Sequence, residues 1–183
     1  SRLNELLQQA GNIGRNEDGS ITRLGFSEKY FQVLEFLKGR MQKLGMQVDT
    51  DSVEIFMAIA GSDPEAKSIV IDSHMDTVMQ GGVYDGMLDV TGAKYSTPCD
   101  PRLIKLIDDV CTEKGISHII MPSGAGHDAN AMAHEEGVPI GMIFVPSAKG
   151  ISHQGDEYTK PEHIDLRADV LYQTVLKLDE NGF

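Results

Sequence analysis

The sequence predicts one α/β domain, with helices layered on a largely parallel sheet, and three observations carry that reading. Segments of helical period alternate with short apolar runs of strand character. Polar residues of catalytic type gather in loops where those runs stop, the edge at which such sheets place their sites. The chain is 183 residues long and 40% hydrophobic, enough for one sizeable core and short for two domains.

The elements follow in order. Residues 27–45 form a helix: Ser27 caps it, Phe31, Leu34, Leu37, Met41 and Leu44 recur at threes and fours, and Gly45 ends it. Residues 46–50 and 53–60 read as two short strands, and the run Ser68, Ile69, Val70, Ile71 reads as a buried strand leading into Asp72, Ser73 and His74. Asp100 followed by Pro101 is an N-cap with proline at the first helical position, which opens a helix running to Gly115. Further strands are expected at 117–121 and 140–145, with a small-residue loop and a short helix between them. An amphipathic helix over 166–178 completes the chain. Residues 88–98 show neither period, so any seam in the domain is expected there.

Composition narrows the function. A formal charge of -12, with Lys and Arg scattered singly, repels nucleic acid and anionic membranes. No apolar run nears the roughly 20 residues that span a bilayer, and the first residues lack a signal-peptide layout, so a soluble cytoplasmic protein is expected. Cys99 and Cys111 form no CxxC pair and read as reduced thiols.

Three clusters carry chemistry. The first is Ser73, His74, Met75, Asp76, Thr77 and Val78, followed by Gly81, Gly82, Val83, Tyr84, Asp85 and Gly86. At a strand end His74 and Asp76 share a side, so the carboxylate can hold one imidazole nitrogen while the other binds a metal. Asp85 follows a glycine pair that lets the chain turn back, where a carboxylate can bridge two ions. Taken alone, a strand-end His beside an Asp is more readily a polar loop pair. The second cluster is Ile151, Ser152, His153, Gln154, Gly155, Asp156 and Glu157, where His153 offers a nitrogen ligand with carboxylates close by. Its bland alternative is a solvated loop histidine. The third runs Ser123, Gly124, Ala125, Gly126, His127, Asp128, Ala129, a small-residue loop into a helix start that suits an anionic oxygen with His127 as donor, or is simply a glycine turn.

The three clusters occur in a set order, with the run Ile143, Phe144, Val145, Pro146, Ser147 ahead of the His153 loop and Ile21, Thr22, Arg23, Leu24, Gly25, Phe26, Ser27 upstream. That order resembles the N-carbamoyl-L-amino-acid hydrolase and allantoate amidohydrolase family of dinuclear metallopeptidase-like amidohydrolases. The resemblance implies a three-layer zinc-exopeptidase-like (phosphorylase/hydrolase-like) α/β catalytic domain with a mostly parallel mixed sheet. It implies that His74, Asp85 and His153 are metal ligands, Asp76 the catalytic residue supporting His74, and His127 a substrate contact. The implied cofactor is a divalent ion, zinc or manganese, and the substrate a small molecule with an amide or ureido C–N bond.

One part of the family pattern has no counterpart after Gly86. Asp89 stands where the family has glycine, and Val90, Thr91, Gly92 lead almost at once to Tyr95, Ser96, Thr97, Pro98, Cys99, which resembles a region far downstream in the family. The skipped part holds the family's Glu-Glu pair, a further His ligand and the dimerisation domain. A seam near residues 88–95, at most one tightly bound ion, a monomer, and weak or lost activity are the expectations. The alternative is a non-catalytic domain that binds a metal or a carboxylate. Glu135 and Glu136 echo the missing pair but sit where the family has a helix-to-strand turn, and a serine hydrolase is disfavoured because no GxSxG elbow exists.

Overall fold

A computed structural model of the chain describes residues 1–50, 56–59, 68–71, 74–77, 79–80, 97–123 and 125–181. Helix α1, Arg2–Gly11, starts at Ser1, whose hydroxyl accepts from the Asn4 N–H at 3.3 Å. Helix α2, Glu28–Lys43, is capped by Ser27 through the Tyr30 N–H at 3.2 Å, and the chain leaves it at Gly45 with φ 81°. Strands β1, Gln47–Thr50, and β2, Phe56–Ile59, pair antiparallel with Gln47 opposite Ile59 and pack against α2.

Helix α3, Pro101–Glu113, begins as the sequence implies. The Asp100 carboxylate accepts from the Arg102 N–H at 2.8 Å and forms an ion pair with its guanidinium. Helix α4, Ala129–Glu136, ends at Gly137 with φ 64°, and Glu136 lies exposed in its last turn. Helix α5, Pro161–Asn181, starts five residues before the point that periodicity indicates, with proline in its first position.

The core lies between α3 and α5. Val110, Cys111 and Val170 are buried together, with Ile107, Ile116 and Ile143 packed around them. Residues 140–143 run along α3: the Asp100 N–H donates to the Ile140 carbonyl at 2.9 Å, and a Cβ on Gly141 would sit 3.0 Å from Leu103 Cβ. Lys177 with Glu113 and Lys114 with Asp169 tie the two helices at the surface. At the other end, Ser1 and Asn4 of α1 hydrogen-bond Asp165 of α5, and Arg40 of α2 reaches Gln9.

The expected parallel sheet is not seen among the described residues. Among the described residues the one sheet is the antiparallel β1–β2 pair. Residues 68–71, 117–121 and 140–145 form neither helix nor strand, and Val70 and Ile120, 66% and 67% exposed, are not buried. A parallel strand is buried only when neighbours pair on both sides and helices cover both faces. An apolar run records that burial is favourable, not that a partner is present. The stripe read for α2 is corrected too, because Val33 and Leu34 are the buried pair while Phe31 and Leu44 face outward. Cys99 and Cys111 are free thiols, and burial pushes the Cys111 thiol above its usual range. No helix among the described residues is long and apolar enough to cross a membrane.

Candidate active site

The turn carrying His74 is held from the N-terminal segment. Thr77, 3% exposed, donates its N–H to the Arg23 carbonyl at 2.9 Å, and its hydroxyl accepts from the Arg23 N–H at 2.8 Å. The same hydroxyl faces the Ile21 carbonyl at 3.4 Å, and the Gln80 N–H donates to the Thr22 hydroxyl at 3.0 Å. The buried Arg23 side chain donates to the Met75 carbonyl at 2.5 Å. With both ends so fixed, the two polar side chains of the turn meet: His74 Nδ1 lies 3.1 Å from Asp76 Oδ1, each side chain about a third exposed or less. When Nδ1 carries the proton and donates to Asp76, Nε2 keeps its lone pair for an electrophile.

His153 sits in an exposed loop with left-handed φ of 59°, its N–H donating to Glu157 Oε2 at 2.8 Å. That conformation is uncommon for a residue with a Cβ. The loop docks on the segment that follows the His74 turn: a Cβ on Gly155 would lie 3.3 Å from the Gln80 carbonyl and 3.4 Å from Ser20 Cβ. An open cleft of about 510 Å³ lies between them, lined by Asp18, Ser20, Met79, Gln80, His153, Gln154, Gly155 and Asp156. On its wall the Ser20 hydroxyl and N–H both donate to Asp18, which holds that carboxyl below its usual range.

His127 precedes α4, and its Nε2 is 2.7 Å from the Ser123 hydroxyl, which also accepts the Ala125 N–H at 3.1 Å. The His127 ring lies 5.7 Å from Phe144, tilted by 55°. The loop's donor at the helix start is thus paired with a neighbouring hydroxyl. Asp85, read from the sequence as the bridging carboxylate, lies outside the described residues. Among the described residues no three His, Cys, Asp or Glu side chains form a group able to hold a metal. The donor set nevertheless suits one in part, since His74 has the carboxylate partner that metal-bound imidazoles characteristically have.

Residues 85–177, 93 of the 183, match the family model described as Peptidase family M20/M25/M40. The chain belongs to that family. Peptidase family M20/M25/M40 has a zinc-exopeptidase-like α/β fold and generally depends on divalent metal. Among individual proteins the chain is similar to "Ureidoglycolate hydrolase" of Arabidopsis thaliana, 42% identical over 79 residues, covering 43% of this chain and 16% of that protein. It is also similar to "N-carbamoyl-L-amino-acid amidohydrolase" of Pseudomonas sp. (strain NS671), 29% identical over 136 residues, 73% of this chain and 32% of that one. "Allantoate amidohydrolase" of Bacillus subtilis (strain 168) is 29% identical over 163 residues, 81% of this chain and 40% of that one. The chain therefore spans from about a sixth to two fifths of the length of these relatives.

Sequence reasoning missed the part played by Arg23 in the site. The segment around it carries a family-like motif, but no periodicity marks an arginine in an irregular segment as the support of a turn 52 residues away.

Proposed function

We propose that the chain is a catalytic-type M20 domain of a metal-dependent amidohydrolase acting on linear amide or ureido C–N bonds, of the N-carbamoyl amino acid or allantoate kind. The observation that carries the reading is the His74–Asp76 contact of 3.1 Å, a nitrogen ligand with its orienting carboxylate at the turn where the family-like motif falls. His74, Asp85 and His153 would hold one divalent ion, zinc or manganese, which would supply Lewis-acid activation of a carbonyl and of water. Asp76 fixes the tautomer of His74. His127, its Nε2 turned to Ser123, exchanges that hydroxyl for an oxygen of the small-molecule substrate.

Residues 1–183 form a single domain, monomeric and cytoplasmic, with a seam at 88–95. In the family's fold, a mostly parallel mixed sheet, His74 would lie at the carboxyl edge. A general base contributes roughly 10²–10⁴-fold to such hydrolysis. With no counterpart to the family's Glu-Glu pair after Gly86, turnover is weak or absent.

Elemental analysis and single-turnover assays test this together. The chain is expected to bind about one zinc or manganese ion, with His74→Ala and His153→Ala each lowering the metal content. N-carbamoyl amino acids and allantoate are expected to be cleaved far more slowly than by full-length relatives. Metal content unchanged in both variants would overturn the ligand assignment. Two ions with fast turnover would mean that another acidic residue, such as Asp89 or Glu157, supplies the lost pair.

A further inference from the structure

We infer that Arg23 is the positioning residue of the metal-binding turn, holding the Met75 peptide so that His74 and Asp76 project together. The inference rests on the reading of His74 as a metal ligand. Arg23 is 6% exposed and its guanidinium spans two parts of the molecule. Nε donates to the Met75 carbonyl at 2.5 Å, and one terminal nitrogen donates to the Ala10 and Ile13 carbonyls at 3.2 and 3.0 Å. The Ala10 carbonyl, which also accepts the Ile13 N–H at 3.1 Å, lies in the last turn of α1 and the Ile13 carbonyl just beyond it, where the helix end carries partial negative charge.

The peptide so held is the one between the two functional side chains. Rotating the Met75 carbonyl requires changing ψ of Met75 or φ of Asp76, and either would swing Asp76 relative to His74 and break the 3.1 Å contact. The Arg23 backbone adds a second restraint in the same place, exchanging two hydrogen bonds with Thr77. Side chain and main chain of one residue therefore fix the turn at Met75 and at Thr77. A planar fork with several donors at set angles can hold two directions at once, whereas an ammonium on a flexible stem reaches one acceptor without fixing its plane. Arg23 does not touch the reacting atoms. It acts through His74 and Asp76, as residues behind metal ligands do, and losing such support typically weakens metal affinity roughly 10–100-fold.

The test uses the full chain, zinc ion as the probe and competition with a chromophoric chelator as the readout. The histidine ring resonances of the metal-free variants are recorded beside it. Arg23→Lys and Arg23→Met are expected to weaken zinc binding by about 10–100-fold and to shift the His74 ring signals. Ile21→Val is the structural control, since Ile21 is fully buried in the same segment and the change leaves its backbone intact. It should lower stability without changing zinc affinity. Should Arg23→Met fail to fold, Arg23→Lys decides alone, because it keeps the charge and much of the stem. Wild-type zinc affinity in a folded Arg23 variant, while His74→Ala has lost it, would overturn the inference and leave the His74 assignment standing. An equal loss in Ile21→Val would also overturn it, as general loosening would explain the effect. Wild-type affinity in His74→Ala would instead overturn the assignment of His74 and this inference with it.

Discussion

Thr77→Val isolates the hydrogen bonds that clamp the His74 turn, because the two side chains have nearly the same shape and Thr77 is 3% exposed. The change removes the acceptor of the Arg23 N–H, now at 2.8 Å, and the weaker contact to the Ile21 carbonyl at 3.4 Å. A buried donor that loses its acceptor costs about 1–3 kcal/mol. Burying a methyl in place of a hydroxyl returns roughly 0.8 kcal/mol. The net loss is therefore about 0.2–2.2 kcal/mol. With a urea slope of about 2 kcal/mol/M, the unfolding midpoint should fall by roughly 0.1–1.1 M at unchanged slope. Urea titration followed by circular dichroism measures it. A midpoint equal to or above the parent's would show that the clamp contributes nothing and that the turn is held elsewhere.

Three further outcomes are expected. Gly14→Ala should destabilise by more than about 1 kcal/mol, since Gly14 has φ 92° and an added Cβ would meet the Thr22 carbonyl at 2.7 Å; a thermal melt would show it as a lower midpoint. Asp76→Asn should weaken zinc binding about 10–100-fold while leaving the melting temperature close to the parent's, because the pair is partly exposed; chelator competition checks it. The Asp108 carboxylate, 2.7 Å from His118 Nε2, and then the Ile116 carbonyl raise the His118 pKa. The pair's contribution to stability is thus fully present below the unfolded histidine pKa near 6.5 and is lost as pH rises through the higher folded value. Proton titration of the His118 ring should give a pKa that Asp108→Asn returns toward 6.5, and no change on that substitution would refute the pairing.

The helix ends that the sequence announces are those governed by local chemistry. Ser27 and Asp100 cap α2 and α3 as their side chains dictate, and Gly45 marks an exit that only a positive φ permits without strain. His74 and Asp76 are legible as a pair for the same reason, since alternation along an extended segment places them on one side. What escapes depends on distant neighbours. Ile69, Val70 and Ile71 are as apolar as any buried strand, yet their burial depends on pairing and cover that their own sequence does not encode. The start of α5 at Pro161 carries the same proline signal that marks Pro101, but the apolar stripe alone suggests a later start. Arg23 has no local mark at all, because its acceptors include carbonyls 10 and 52 residues away.

The shared guanidinium of Arg23 also sets the order in which this end of the molecule can come apart. The last turn of α1 cannot fray freely while Ala10 and Ile13 remain bonded to it, and the Met75 peptide cannot swing out without the same side chain letting go. Helix ends and surface turns ordinarily open independently and at little cost. Here the two are joined into one cooperative opening unit, so that a ligand ordering the turn also slows hydrogen exchange in a helix it never touches.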